Sequence, residues 1–278
     1  MKIDRIQLKQ LLFRIKEDKF MIPNGYKAAS LGHAMITHIG DTDPILRDEL
    51  IYEVLENWTL NDVFTIEEVK DFLEIAFDDQ HLFFRIGDKH DNSVFTRTFS
   101  LLFIAAALYK HNINPYLSKD DIISYLDKII SYLEREVDVR GFVKEKGWAH
   151  SVAHCSDVLG QFAKCDELET SDHKKILNAI ANKIAHRKYT YIDEEDERAV
   201  TAVMNVIRKE HVSQDEFCTW INDLVQIGTL KIFPDDSVIH VNVKHFLRSL
   251  YFRLINEEQF NQVLNVLKDA LCRMNRFN

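Results

Sequence analysis

The sequence predicts an all-α fold of stacked antiparallel helix pairs. Three observations point there. The chain has only 8 Gly and 4 Pro in 278 residues, it has few runs of β-branched alternation, and about a dozen segments of roughly 12 to 18 residues carry apolar side chains at helical spacing. Short connections make neighbouring helices antiparallel. The expected architecture is therefore an α-solenoid of the HEAT or armadillo kind, or a compact helical array. No linker rich in Pro, Gly or Ser interrupts the pattern, so a single helical-repeat domain over residues 1–278 is expected, although no clean internal repeat is visible.

In chain order, Ile3 to Ile15 is periodic and ends before the turn signal Pro23-Asn24-Gly25. Tyr26 to Ile39 follows and stops at Gly40. Asp43-Pro44 has the N-cap and first-turn chemistry of a helix running towards Trp58. Thr65-x-x-Glu68, Ser213-x-x-Glu216 and Asn256-x-x-Gln259 have the form of capping boxes, in which two side chains satisfy end N–H groups reciprocally. Ser118-x-x-Asp121 is a weaker version ahead of Ile122 to Val137, and Ser171 opens a helix through Ile184. The acidic run Asp193 to Glu197 precedes Ala199 to Ile207, where it complements the positive helix end. Val94 to Tyr109 is apolar nearly all round, as a helix covered on several sides would be. His81 to Ile86 and Lys231 to Val243 are expected to form short strands or irregular turns. Trp58 and Trp220 fall on apolar faces and read as core.

Composition narrows the partners. Lys plus Arg number 35 against 44 Asp plus Glu, a formal charge of −9, which argues against a surface that tracks nucleic acid. The first residues break their apolar positions with charges on a helical period, so a first helix is expected rather than a secretion signal. The longest apolar run, Leu101 to Tyr109, is far short of the roughly 20 residues that span a bilayer. Cys155, Cys165, Cys218 and Cys272 are scattered without Cys-x-x-Cys spacing. Buried thiols in a reducing cytoplasm are expected, with no membrane partner.

Chemistry not demanded by the fold is concentrated in Arg140 to Gln161. A helix following Gly147 would put Trp148, Val152, Cys155, Leu159 and Phe162 in one apolar stripe. His150, His154, Asp157 and Gln161 would then line the opposite side, facing solvent or a cavity. Cys155 would turn to the core as a small hydrophobe. On the nearly all-apolar helix, Arg97 lies with Leu101, Ile104 and Leu108. A buried guanidinium needs a carboxylate, and Asp157 is a possible partner; the pair would fix two helices together or bind a ligand directly. Arg140 has the same ambiguity.

Phe95-Thr-Arg97-Thr-Phe99-Ser100, Arg140-Gly141, Gly147-Trp148-Ala149-His150 and His154-x-x-Asp157 together resemble a bacterial domain-of-unknown-function family of helical proteins. The resemblance runs from about residue 40 to 250, and Glu197-Arg198 is similar to a recurring acidic-basic pair there. It implies a fold of helical repeats and no accepted activity.

Two functions fit these residues. One is a binding protein that recognises a protein, peptide or small molecule through Arg97, Trp148, His150, His154 and Asp157, with no cofactor. The alternative is a metal-dependent enzyme, possibly hydrolytic, in which His150, His154 and Asp157 hold a divalent ion such as zinc and a bound water is the nucleophile. A further ligand or base would come from elsewhere, for example Glu194 or Glu197. No Glu follows the first His, so the His-Glu-x-x-His protease arrangement is absent.

Overall fold

A computed structural model describes residues 3–229 and 235–277. Among these the fold is all-α: α1 (Arg5–Glu17), α2 (Ala28–Thr37), a π-helical stretch Ile45–Tyr52 that runs into α3 (Glu53–Leu60), α4 (Ile66–Ala76), α5 (Ser93–Ile113) and α6 (Lys119–Arg135). Two two-residue strands follow, β1 (Phe142–Val143) and β2 (Gly147–Trp148), and then α7 (Ser151–Phe162), α8 (Thr170–Ile184), α9 (Glu195–Arg208) and α10 (Gln214–Gly228). The chain continues with α11 (Asp235–Leu254), a 3₁₀ turn Glu258–Phe260 and α12 (Asn261–Arg273).

The helix starts follow from local chemistry. Thr65–Glu68, Ser118–Asp121 and Ser213–Glu216 form complete capping boxes at α4, α6 and α10. Asp4–Gln7 forms another at α1. Asp43 Oδ1 accepts the N–H groups of Ile45 and Leu46, which caps the π-helical stretch after Pro44. The Asn256-x-x-Gln259 signal does not start a helix: a 3₁₀ turn intervenes and α12 begins at Asn261. Residues 81–87 are irregular turns, as expected. The expected irregular segment at 231–243 is helical from Asp235, and residues 230–234 lie outside the described residues. Asp235 and Asp236 occupy the first turn of α11, where acidic side chains complement the positive end of a helix.

The chain divides into two compact units, Met1–Val158 and Leu159–Asn278, with the boundary inside the continuous α7. In the first unit α5 is the central rod. It packs against the π-helical stretch, α3 and α4, and its burial on nearly every side explains its all-round apolar sequence. Trp58, Phe64, Phe72 and Phe103 meet edge to face through this core. In the second unit α11 has the same role against α8, α9, α10 and α12. Val243, Phe246, Leu247 and Leu250 are fully buried along it. Trp58 and Trp220 are core residues, their indole N–H groups donating to the carbonyls of Phe20 and Leu177. Of the cysteines, Cys155, Cys165 and Cys218 are buried, but Cys272 is exposed.

Candidate functional site

The segment before α7 is a hairpin, not the start of the helix. Phe142 pairs with Trp148 and Val143 with Gly147. The three-residue connection Lys144 to Lys146 closes through left-handed backbone at Glu145 (φ 66°), and Gly147 (φ 79°) follows. The ladder is prolonged by Ala149 N–H donating to Gly141 and His150 N–H to Arg140, both at 2.9 Å. Only then does the chain turn into α7, through His150 at φ 51°. A left-handed histidine costs free energy, and such strain concentrates at functional positions. Ser151 Oγ ties the turn to the carbonyl of Asp138 at 2.6 Å.

This start changes the expected faces. Trp148 is not on the helical stripe; it stands on β2, 40% exposed, edge to face with Phe142, which is 57% exposed. Val152, Cys155, Leu159 and Phe162 are buried as the period predicts. The opposite side is not left open, however: Ser151, Ala153 and Ser156 are buried too, and His150 and His154 are only 8% and 6% exposed. The imidazoles are packed groups of a wall.

What the structure assembles is a ladder of rings. Trp148 stacks on His150 with centroids 4.6 Å apart and planes at 20°. His150 meets His154 at 5.6 Å, and His154 meets Phe99 of α5 at 5.6 Å. His154 Nδ1 lies 3.3 Å from the Thr98 carbonyl, which can only accept, so Nδ1 carries the proton in that contact. The ladder runs from the surface at Phe142 and Trp148 into the core at Phe99.

At its inner end lie two residues that the sequence reading missed. Arg47 is fully buried, its guanidinium 4.2 Å from the Phe95 centroid and 4.6 Å from that of Phe99. It donates to the carbonyls of Asp41 at 2.7 Å and Lys146 at 2.6 Å, holding the hairpin from below. Its Nε sits 2.7 Å from Asp48 Oδ1. The two groups, neighbours in sequence, form a charge-paired contact at the base of the hairpin. Burial pushes the Asp48 carboxyl up to about 6, against the opposing pull of the Arg47 charge and the Trp148 backbone N–H. Gly147 is seated on this pair: a Cβ there would come 2.9 Å from Arg47 Nη2 and 3.0 Å from Asp48 Oδ2.

Arg97 has a different partner from the one expected. It is fully buried and grips Glu136 at 2.6 and 3.0 Å, not Asp157. Its remaining donors reach Ser93 Oγ at 2.7 Å and the Phe84 carbonyl at 2.9 Å. Burial alone would pull this guanidinium down; the Glu136 hydrogen bonds and charge outweigh it and hold Arg97 above its ordinary value. Arg97 therefore clamps α5 to the end of α6. Arg140 likewise forms a fork with Asp138 at 2.6 and 2.8 Å and donates to the Asp91 carbonyl at 2.8 Å.

Asp157 is half-buried on α7, one turn beyond His154. Among the described residues, His150, His154 and Asp157 do not form a group whose ligand atoms all lie within 4.8 Å of one another.

A family model described as "Protein of unknown function (DUF2785)" matches residues 82–252. The match contains Arg97, Trp148, His150, His154 and Asp157, whereas Arg47 and Asp48 precede it. No curated protein and no solved structure matches the chain.

Proposed function

Because the chain belongs to the DUF2785 family of proteins of unknown function, we propose from its site that it is a binding protein, recognising a peptide, protein or small molecule through Trp148, His150, His154 and Asp157. The observation that carries this reading is the ring ladder. Exposed Trp148 is stacked on the buried imidazole of left-handed His150, and its strand is held from below by the Arg47–Asp48 ion pair. Aromatic surface with few rotatable bonds loses little entropy on binding, and Arg47 and Asp48, bonded to the hairpin backbone beneath Gly147, fix its orientation. The scattered thiols support a cytoplasmic setting, and among the described residues no helix is long and apolar enough to cross a membrane. Stacking of helix pairs as a solenoid belongs to the same proposal.

A second reading keeps the metal-dependent enzyme. The contact of His154 Nδ1 with the Thr98 carbonyl favours it, because metal-bound imidazoles commonly donate their other N–H to such a group. Among the described residues, the ligand atoms of His150, His154 and Asp157 do not all come within 4.8 Å of one another, which weighs against it.

A thermal-shift screen of peptides and small molecules, run beside elemental analysis of native protein, tests both. The binding reading expects a stabilising ligand whose shift is lost in Trp148→Ala and His154→Gln variants of unchanged helicity, and no stoichiometric ion. About one ion per chain, lost in His150→Ala or His154→Ala, would overturn it in favour of the metal enzyme.

A further inference from the structure

The sequence contains one Asn-Gly pair, Asn24-Gly25, and the fold leaves its chemistry unobstructed. Both residues are exposed in the turn between α1 and α2, which is closed by the Tyr26 N–H donating to the Pro23 carbonyl at 3.1 Å. Gly25 has φ 86°, and a Cβ built on it would meet nothing within 4 Å. Among the described residues its N–H meets no acceptor. That nitrogen is therefore free to approach the side-chain carboxamide of Asn24, and with no Cβ on Gly25 neither sterics nor backbone preference resists the approach.

Other asparagines are held away from this reaction. Asn92 precedes a small residue, but the Ser93 N–H is donated to Asp91 Oδ1 at 2.9 Å, and Asn92 Oδ1 accepts the Lys146 ammonium at 2.8 Å. Asn61 precedes Asp62, and its amide donates to the Asn57 carbonyl at 2.9 Å. Asn222 lies inside α10, where the N–H that follows it is engaged by the helix. Asn114 is followed by Pro115, which has no N–H to attack with.

We propose that Asn24 is a self-modification site, at which the folded chain converts its own carboxamide to isoaspartate and aspartate. The Gly25 nitrogen gives up its proton to base and attacks Asn24 Cγ; the N–Cγ bond forms, the Cγ–Nδ2 bond breaks, and Nδ2 leaves as ammonia. Water then opens the five-membered imide. Attack at the backbone carbonyl leaves the chain running through the side-chain carbon as isoaspartate, and attack at Cγ leaves ordinary aspartate. One water enters and one ammonia departs, with nothing oxidised or reduced. A neutral amide becomes a carboxylate, so the formal charge of −9 becomes more negative by one. The open space at Gly25 accommodates the extra backbone methylene of isoaspartate, so the product accumulates in folded protein.

The full chain incubated in mildly alkaline buffer tests this, followed by ion-exchange separation, peptide mapping and methyl transfer from S-adenosylmethionine by an isoaspartate methyltransferase. A growing species one charge more acidic is expected, with the amide-to-acid mass gain and the methyl acceptance confined to the peptide containing Asn24. The separated acidic species should keep the helicity of the starting protein. Asn24→Gln, whose longer side chain would have to close a six-membered ring, should lose the acidic species.

Folded chain that stays unmodified while a urea-unfolded sample is converted at Asn24 overturns the proposal, because the fold would then protect the turn. So does modification that begins at Asn92 or another asparagine, or an acidic species that forms undiminished in Asn24→Gln. None of these readouts involves Trp148 or a ligand, so they stand or fall separately from the binding reading.

Discussion

Arg97 and Arg47 show how much a single buried cation determines here. Each has its guanidinium out of water, and each is stabilised by acceptors on segments distant in sequence: Glu136 for Arg97, and the Lys146 carbonyl for Arg47. Removing one partner of such a pair costs more than the pair contributes, because the other charge stays buried and unmatched. Glu136→Ala is therefore expected to lower stability by about 3 to 5 kcal/mol in urea unfolding. A loss within the few tenths typical of a surface pair would show that Arg97 finds another partner. The need of Arg97 for a carboxylate was legible from its place in an apolar run, but the identity of that carboxylate was not. Asp157 and Glu136 are equally acidic in a string; the position of the end of α6 against α5 decides between them. Arg47 and Asp48 gave no comparable signal, since adjacent opposite charges in a helical segment usually face solvent.

Among the elements, local capping chemistry carries over intact from sequence to structure. Thr65, Ser118 and Ser213 cap the helices their spacing announced, because the interaction spans three residues and needs no tertiary partner. Thr65→Ala should cost about 1 kcal/mol, measured by chemical unfolding, and Thr65→Ser should recover most of it. A neutral Thr65→Ala would mean that packing of Phe72 and Leu73 alone fixes the start of α4. The hairpin was missed for a reason that is also local. Phe142-Val143 and Gly147-Trp148 flank a charged three-residue turn, a pattern that does announce a hairpin. Helical periodicity from Trp148 onward competed with it, and the two templates overlap on residues 147–150. The left-handed turn at His150 separates them.

For the molecule as a whole, each compact unit is organised on one long helix, α5 or α11, and tolerance to change should follow that order. Phe246, fully buried on α11 and edge-on to Trp220, should cost about 3 to 5 kcal/mol as Phe246→Ala. Exposed Phe252 on the same helix should change stability by no more than about 0.5 kcal/mol as Phe252→Ser. Equal effects at the two positions in urea melts would contradict the assignment of α11 as the central rod. The sequence by itself determined the helical class, most helix starts, the buried α5 and the segment where aromatic rings and imidazoles concentrate, because caps and apolar period act over one or two turns. Tertiary structure alone decided that Glu136 answers Arg97, that Arg47 and Asp48 underlie the hairpin, and that the histidines are packed into a wall. Those outcomes depend on which groups meet across long stretches of chain, and desolvation of a charge becomes a cost or an anchor only when its surroundings close over it.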